Sequence, residues 1–169
     1  MGGQVGAQET VEVTLQEAGT LSTLITDDQK ANLKSLKITG ELNGTDLKYI
    51  REQLKSTLAT LDMTDANIVE GGEAYYSDNV NGTYYTKKDK ITDRTFESMS
   101  CLATIKFPNS LLSIEGNVFA STPYLANVVL GDKLESIGEN AFREKEQLRS
   151  INIPSSVKKI GDRAFYGCI

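Results

Sequence analysis

The stretch LRSINIPSSVKKIGDRAFYGC, Leu148 to Cys168, decides the fold because it repeats. The 23 residues before it begin LANVVLGDKLESIGENAF, Leu125 to Phe142, and the 23 before those begin LATIKFPNSLLSIEGNVF, Leu102 to Phe119. Six apolar columns run through the three units in register. They are Leu102, Leu125 and Leu148; Ile105, Val128 and Ile151; Phe107, Leu130 and Ile153; Leu111, Leu134 and Val157; Ile114, Ile137 and Ile160; and Phe119, Phe142 and Phe165. Ile91 and Phe96 carry two of the columns one period further upstream. An internal period of this length signals stacked supersecondary units.

Each unit opens with apolar residues at every second position, which reads as a short strand with one apolar face. Pro108, Gly131 and Pro154 end those strands. Gly138 and Gly161 then suit a tight turn before a short helical or extended segment. One such unit cannot bury its apolar side alone, whereas a stack buries it continuously. The expected fold is an α/β repeat: a solenoid with a parallel sheet along one face.

Two earlier units are longer and more helical. NLKSLKI (32–38) and TLATLDM (57–63) share the leading apolar pattern, and Leu33 to Leu58 is 25 residues. Between them, Asn43–Gly44 reads as a turn, Thr45 as a helix N-cap and Asp46 as a favourable charge at the positive helix end. Leu47, Ile50 and Leu54 share one helical face. A shorter helix is expected over Asp27–Leu33, and VEVTL (11–15) as a first, capping strand. From Leu58 to Leu102 is 44 residues, one 23-residue period plus 21 extra. The excess falls in IVEGGEAYYSDNVNGTYYTKKDK, 68–90. The expected organisation is therefore an N-terminal tail over 1–10, disordered or left from cloning, and a cap with helical repeats over 11–67. A tyrosine-rich insertion follows over 68–90, then 23-residue repeats over 91–169. The chain closes on AFYGCI, one residue short of a complete unit. The expectation is a C-terminally truncated stack whose last coil leaves Phe165 and Ile169 near a sheet edge, open to end-to-end self-association.

The three units resemble the BspA-like type of leucine-rich repeat, and IPSSVKKIGDRAFYGC (153–168) is very close to that family's consensus. The N-terminal stretches AGTLSTLI, LKSLKITGELNGTDLKYIREQL and LDMTDANIV look like the N-terminal region of such proteins in Bacteroides-type gut bacteria. The chain departs from ordinary leucine-rich repeats in lacking the Asn column after the strand, where Ser110, Lys133 and Ser156 stand instead. The resemblance implies exposure at a bacterial surface and adhesion to proteins, without fixing a ligand.

Composition narrows the function further. The net charge of −5 opposes approach to phosphate backbones, which speaks against nucleic acid. The short cluster Lys87, Lys88 and Lys90 reads as a solvated loop. No apolar run is long enough for a membrane span. The start, MGGQVGAQE, has no signal-peptide pattern, so export would require a targeting segment not present here. The chain has no histidine, the commonest general base and zinc ligand. Asp62 and Asp65 are the nearest approach to an acid pair, and Asp65 with Asn67 lacks the spacing of a calcium loop. No enzyme activity, cofactor or metal is expected. Cys101 and Cys168 fall about 14 Å apart at the strand spacing of a stack, too far to bridge. Cys101 is expected to be a buried small hydrophobe, and Cys168 too if a coil covered it.

The phenylalanine column shares the core period and is expected to stack inside. Binding candidates lie elsewhere. The outward strand positions are Ser35 and Lys37, Thr60 and Asp62, Thr104 and Lys106, Asn127 and Val129, Ser150 and Asn152. The insertion adds Tyr75, Tyr76, Tyr84 and Tyr85 around SDNVNG, with Lys87 following. Asn81–Gly82 favours a two-residue hairpin turn. That register opposes Val80 to Thr83 and Tyr76 to Lys87, putting Tyr75 and Tyr84 on one face and Tyr76 and Tyr85 on the other. Two readings remain for the tyrosines: packing over an irregular repeat, or contact with a protein or glycan. Asn43-Gly-Thr45 and Asn81-Gly-Thr83 match the glycosylation pattern, but turn chemistry explains both. The candidate ligand-binding set is Tyr75, Tyr76, Tyr84, Tyr85, Lys87, Asp62 and Lys106. The expected function is a non-catalytic surface binding or adhesion module; the alternative is a spacer domain with no ligand of its own.

Overall fold

The structure is a computed structural model that describes residues 9–169. The expected tail at 1–10 lies outside these residues up to position 8. Glu9 and Thr10 instead begin the first strand, where pairing with a parallel neighbour orders them.

The chain coils around a continuous apolar interior. Strand β1 (Glu9–Leu15) pairs in parallel with β2 (Leu33–Leu42), and helices α1 (Leu21–Leu24) and α2 (Asp27–Asn32) lie in the connection. Helix α3 (Gly44–Gln53) leads to β3 (Thr60–Asp62), which pairs with β2, as does β4 (Ala66–Ile68). A hairpin follows, β5 (Tyr76–Asp78) against β6 (Gly82–Tyr84), and then β7 (Lys90–Ile91). The coils that begin at Leu102 and Leu125 each give one strand to each of two parallel sheets, and the last coil gives one to the second sheet. Strands β8 (Thr104–Lys106) and β10 (Asn127–Val129) extend the first sheet, in the order β1-β2-β3-β8-β10. Strands β9 (Ser113–Ile114), β11 (Ser136–Ile137) and β12 (Lys159–Ile160) join β7 in the second, which pairs Ile91, Ile114, Ile137 and Ile160 in register.

Between the sheets the phenylalanines stack. Ring centroids are 5.7 Å apart for Phe96–Phe119, 5.5 Å for Phe119–Phe142 and 5.3 Å for Phe142–Phe165. Phe107 meets Phe119 edge-on at 6.1 Å. The first three column members are fully buried, while Phe165 is partly so. Such rings supply large apolar area in favourable geometry.

Local chemistry departs from the sequence reading at the α3 N-cap and in the last coil, and adds detail at the turns. The N-cap of α3 is Asn43, not Thr45: the Asn43 side chain accepts from the Thr45 amide at 3.0 Å, and Asp46 accepts from the Asn43 amide at 3.0 Å. Asn43 wins because its extended backbone lets the short amide reach the first turn. Gly138 and Gly161 open the expected tight turns, their carbonyls accepting from the Ala141 and Ala164 amides at 3.4 Å and 3.3 Å, but neither is left-handed. A Cβ on Gly138 would lie 2.6 Å from the Glu115 carbonyl carbon, and one on Gly161 would lie 2.5 Å from the Glu139 nitrogen. Glycine lets neighbouring coils touch there. Within the turns of the coils the left-handed positions are Arg94, Asn117, Asn140 and Arg163, and then Ser98, Ser121, Glu144 and Gly167. Finally, segment 149–153 forms no strand, and Ile153 stands 38% exposed.

Cys101 is half-buried rather than buried, because its neighbour Leu102 takes the core position; its thiol meets the Ser56 carbonyl. Cys168 is also half-buried, against the Phe142 carbonyl, and both cysteines are free.

Candidate functional site

The first sheet brings its outward side chains into rows. Ser35, Thr60, Thr104 and Asn127 are successive register partners, and so are Lys37, Asp62, Lys106 and Val129. The two rows flank the buried line Leu36, Leu61, Ile105 and Val128, because strand side chains alternate faces. The first row is uncharged and rich in hydroxyls, and Asn127 donates to Thr104 Oγ1 at 3.4 Å. The second row is held by charge: Lys106 Nζ lies 3.3 Å from Asp62, and Lys37 Nζ lies 3.8 Å from Asp65. Partial burial pushes the Asp62 carboxyl up. Hydrogen bonds from the Thr64 hydroxyl (2.6 Å) and amide (3.0 Å), together with Lys106, outweigh that and hold it below the usual carboxylate value. Asp62 is thus a fixed anion within an ion pair, and Val129, 50% exposed, ends its row as an apolar step.

The tyrosine insertion is built differently. Its register is Tyr76 with Tyr84, Ser77 with Thr83 and Asp78 with Gly82, closing a three-residue loop rather than the two-residue turn expected at Asn81–Gly82. The Asp78 carboxylate decides this. It accepts from the amides of Val80 (2.8 Å) and Asn81 (2.5 Å), fixing an Asx-type turn, and Gly82 follows at φ +96°. The Tyr76 hydroxyl, with these bonds and the Asn81 side chain, holds Asp78 well below the usual carboxylate range.

The shift in register sends the rings inward. Tyr75 is fully buried; its hydroxyl meets Thr92 Oγ1 at 2.5 Å and donates to the Asp93 carbonyl at 2.6 Å. Burial pushes its phenol up to about 12. Arg51 of α3 donates through Nε and a terminal nitrogen to the Tyr75 carbonyl, at 3.1 Å and 2.5 Å. Tyr76 is buried beneath two guanidinium groups, Arg51 at 5.0 Å and Arg94 at 5.8 Å from its ring centre. Burial and the neighbouring Asp78 and Glu97 carboxylates push its phenol up to about 12 as well. Tyr84 is half-buried, 5.9 Å from Tyr76 and 6.4 Å from Tyr75. Tyr85 stands 59% exposed, and Val80 at the loop tip 90%.

The seven candidate residues therefore separate. Asp62 and Lys106 form one ion pair on the first sheet. Tyr75, Tyr76 and Tyr84 form a packed cluster, in which Tyr75 has no surface to offer a ligand. Lys87 reaches Glu115, beside the second sheet, at 3.5 Å. Of the four tyrosines, Tyr85 alone presents most of its ring to solvent.

Sequence reasoning gave Asp46 only a helix-end role and passed over Lys145. Asp46, 1% exposed, accepts from the amides of Gly19 (2.6 Å), Leu21 (3.0 Å) and Asn43, and so ties the β1–α1 connection to α3. Lys145 is buried beside an open cavity of about 300 Å³ lined by Asn117, Asn140 and Arg143. Burial pushes its ammonium down, partly opposed by Cys168 and Glu144. It shares a 23-residue column with Met99, Thr122 and Cys168, which is the signal that would have found it. Among the described residues, no three His, Cys, Asp or Glu side chains converge as a metal site, and no helix is long and apolar enough to cross a membrane.

Comparison with known proteins bears on the fold. A leucine-rich repeat protein of T. pallidum superposes with a TM-score of 0.52 at 19% identity, covering 94% of this chain and 55% of that one. A leucine-rich cell surface protein of Faecalibacterium prausnitzii A2-165 matches with a TM-score of 0.47 at 19% identity, over 80% of this chain and 37% of that one. The chain thus spans about half the length of the first and less of the second. No curated protein matches the sequence. The model of the BspA-type leucine-rich repeat region matches six copies across residues 71–169, more than half of the chain, and the chain belongs to that family.

Proposed function

We propose that the chain is a non-catalytic binding module displayed at a bacterial surface, where it takes a protein or glycan ligand on the outward face of its first sheet. The observation that carries this reading is the pair of in-register rows across four strands, hydroxyl and amide groups in one and alternating charge in the other. Hydroxyls, amides and a fixed ion pair offer many hydrogen bonds at little conformational cost, and Val129 adds an apolar contact. The 23-residue coils, with helices in the N-terminal coils, serve as the rigid scaffold. Tyr85 and Lys87 form a second, smaller contact zone. Display at the surface rests on the family. The competing spacer reading draws on the burial of Tyr75 and Tyr76, which removes most of the aromatic surface the insertion had offered.

Binding to glycan and extracellular-protein arrays tests this, with the wild-type chain beside Thr60→Arg/Thr104→Arg and Tyr85→Ala variants of unchanged melting temperature. Loss of a wild-type signal in the double variant supports the sheet face. Absence of any ligand supports the spacer. Alanine at all four tyrosines is unsuitable, because two of the rings are core.

A further inference from the structure

The sequence holds two Asn-Gly-Thr stretches, at 43–45 and 81–83, and the fold gives them opposite environments. We propose that Asn81–Gly82 is a site of spontaneous deamidation that unlatches the tyrosine hairpin, while Asn43–Gly44 is protected by its fold.

The chemistry needs a backbone nitrogen free to approach a side-chain amide. The Gly82 nitrogen, after giving its proton to solvent base, bonds to Asn81 Cγ. The Cγ–Nδ2 bond breaks and Nδ2 leaves as ammonia, taking its proton from water. Water then opens the five-membered imide at either carbonyl, leaving Asp or iso-Asp at position 81. Glycine favours ring closure because it has no Cβ to obstruct it.

At the hairpin tip the reaction needs only the exposed loop to loosen, releasing Asn81 Nδ2 from Asp78 and Tyr76 and Gly82 from its place opposite Asp78. Gly82 is exposed, and no atom lies within 4 Å of where its Cβ would be. At 43–44 it is blocked. The Gly44 nitrogen already donates to the Gly71 carbonyl at 3.0 Å, and a Cβ on Gly44 would lie 1.9 Å from the Glu73 carbonyl oxygen. Asn43 Oδ1 is engaged with the Thr45 amide, and the residue is buried as the cap of α3. Reaction there must wait for α3 to open at its start.

The product is hostile to the hairpin. Asn81 Nδ2 donates to Asp78 Oδ2 at 2.8 Å and to the Tyr76 hydroxyl at 3.3 Å. A carboxylate at 81 removes both donors and sets a like charge against Asp78. Iso-Asp also lengthens the backbone by one methylene where the Tyr84 hydroxyl donates to the Asn81 carbonyl at 2.9 Å.

The test is to incubate the folded chain warm at mildly alkaline pH and follow the peptides containing Asn81 and Asn43 by mass spectrometry, with a urea-unfolded sample alongside. The expected result is a gain of one mass unit at Asn81 at least about tenfold faster than at Asn43, with the difference lost in urea. Equal rates in the folded chain, or no reaction at Asn81, would overturn the proposal. The Asn81→Asp variant should exchange its amide hydrogens over 76–84 faster than wild type, and Asn81→Gln should abolish the mass gain. Unchanged exchange in Asn81→Asp would overturn the unlatching.

Discussion

The phenylalanine column and the tyrosine hairpin are both aromatic clusters, and they are specified in opposite ways. Phe96, Phe119, Phe142 and Phe165 lie together because the same coil recurs, so each ring's place follows from its neighbour's. Tyr75, Tyr76 and Tyr84 lie together because one carboxylate, Asp78, closes a loop in one register, and because Arg51 reaches across from α3. A repeated contact is redundant in its information and a unique one is not. The two clusters should therefore respond differently to damage.

The largest effect is expected in the column. Phe119→Ala removes a fully buried ring with neighbours on both sides and should cost about 3–5 kcal/mol in urea unfolding. In the hairpin, Tyr75→Phe keeps the packing but strips the partners of Thr92 and Asp93, and should cost about 1–3 kcal/mol. The same variant sharpens the comparison through pH. The folded Tyr75 phenol ionises near pH 12, against about 10 in the unfolded chain. Its contribution to stability is then complete below about pH 10, falls between about 10 and 12 and is lost above. Wild type should lose more stability than Tyr75→Phe across that window.

Smaller effects probe the coil geometry. Gly138→Ala should cost about 1–3 kcal/mol, since the new methyl meets backbone of the neighbouring coil. Glu144→Gly should go the other way, gaining up to about 1 kcal/mol by relieving a left-handed backbone at φ +57°. Tyr85→Ala should leave the melting temperature nearly unchanged, because the ring stands largely in water.

The limits of the sequence reading follow the same division. The membership of the six columns is legible because each column reports the same contact three or four times. The column of Ile91, Ile114, Ile137 and Ile160 appears in the second sheet as a register. The turns at Gly138 and Gly161 were legible, but the close approach between coils that requires glycine there was not, since a turn and a close approach both select glycine. The hairpin register was misread because Asn-Gly is a strong local turn signal. It was overridden by an aspartate three residues earlier, whose bonds run to backbone amides that leave no mark in the sequence. Of the candidate site, the outward placement of Asp62 and Lys106 was visible from strand phase, but their ion pair was not. Packing of the tyrosines was one of two open readings, and it holds for Tyr75 and Tyr76; that Arg51, 24 residues before Tyr75, and Arg94 cover them was not legible.

The central claim is that recognition belongs to the outward rows of the first sheet and that the buried tyrosines are architecture. Array binding by wild type, Thr60→Arg/Thr104→Arg and Tyr75→Phe, each compared at a temperature where all are folded, tests it most directly. The account predicts that the double variant loses the ligand while Tyr75→Phe keeps it. Binding retained by the double variant and lost by Tyr75→Phe would contradict it.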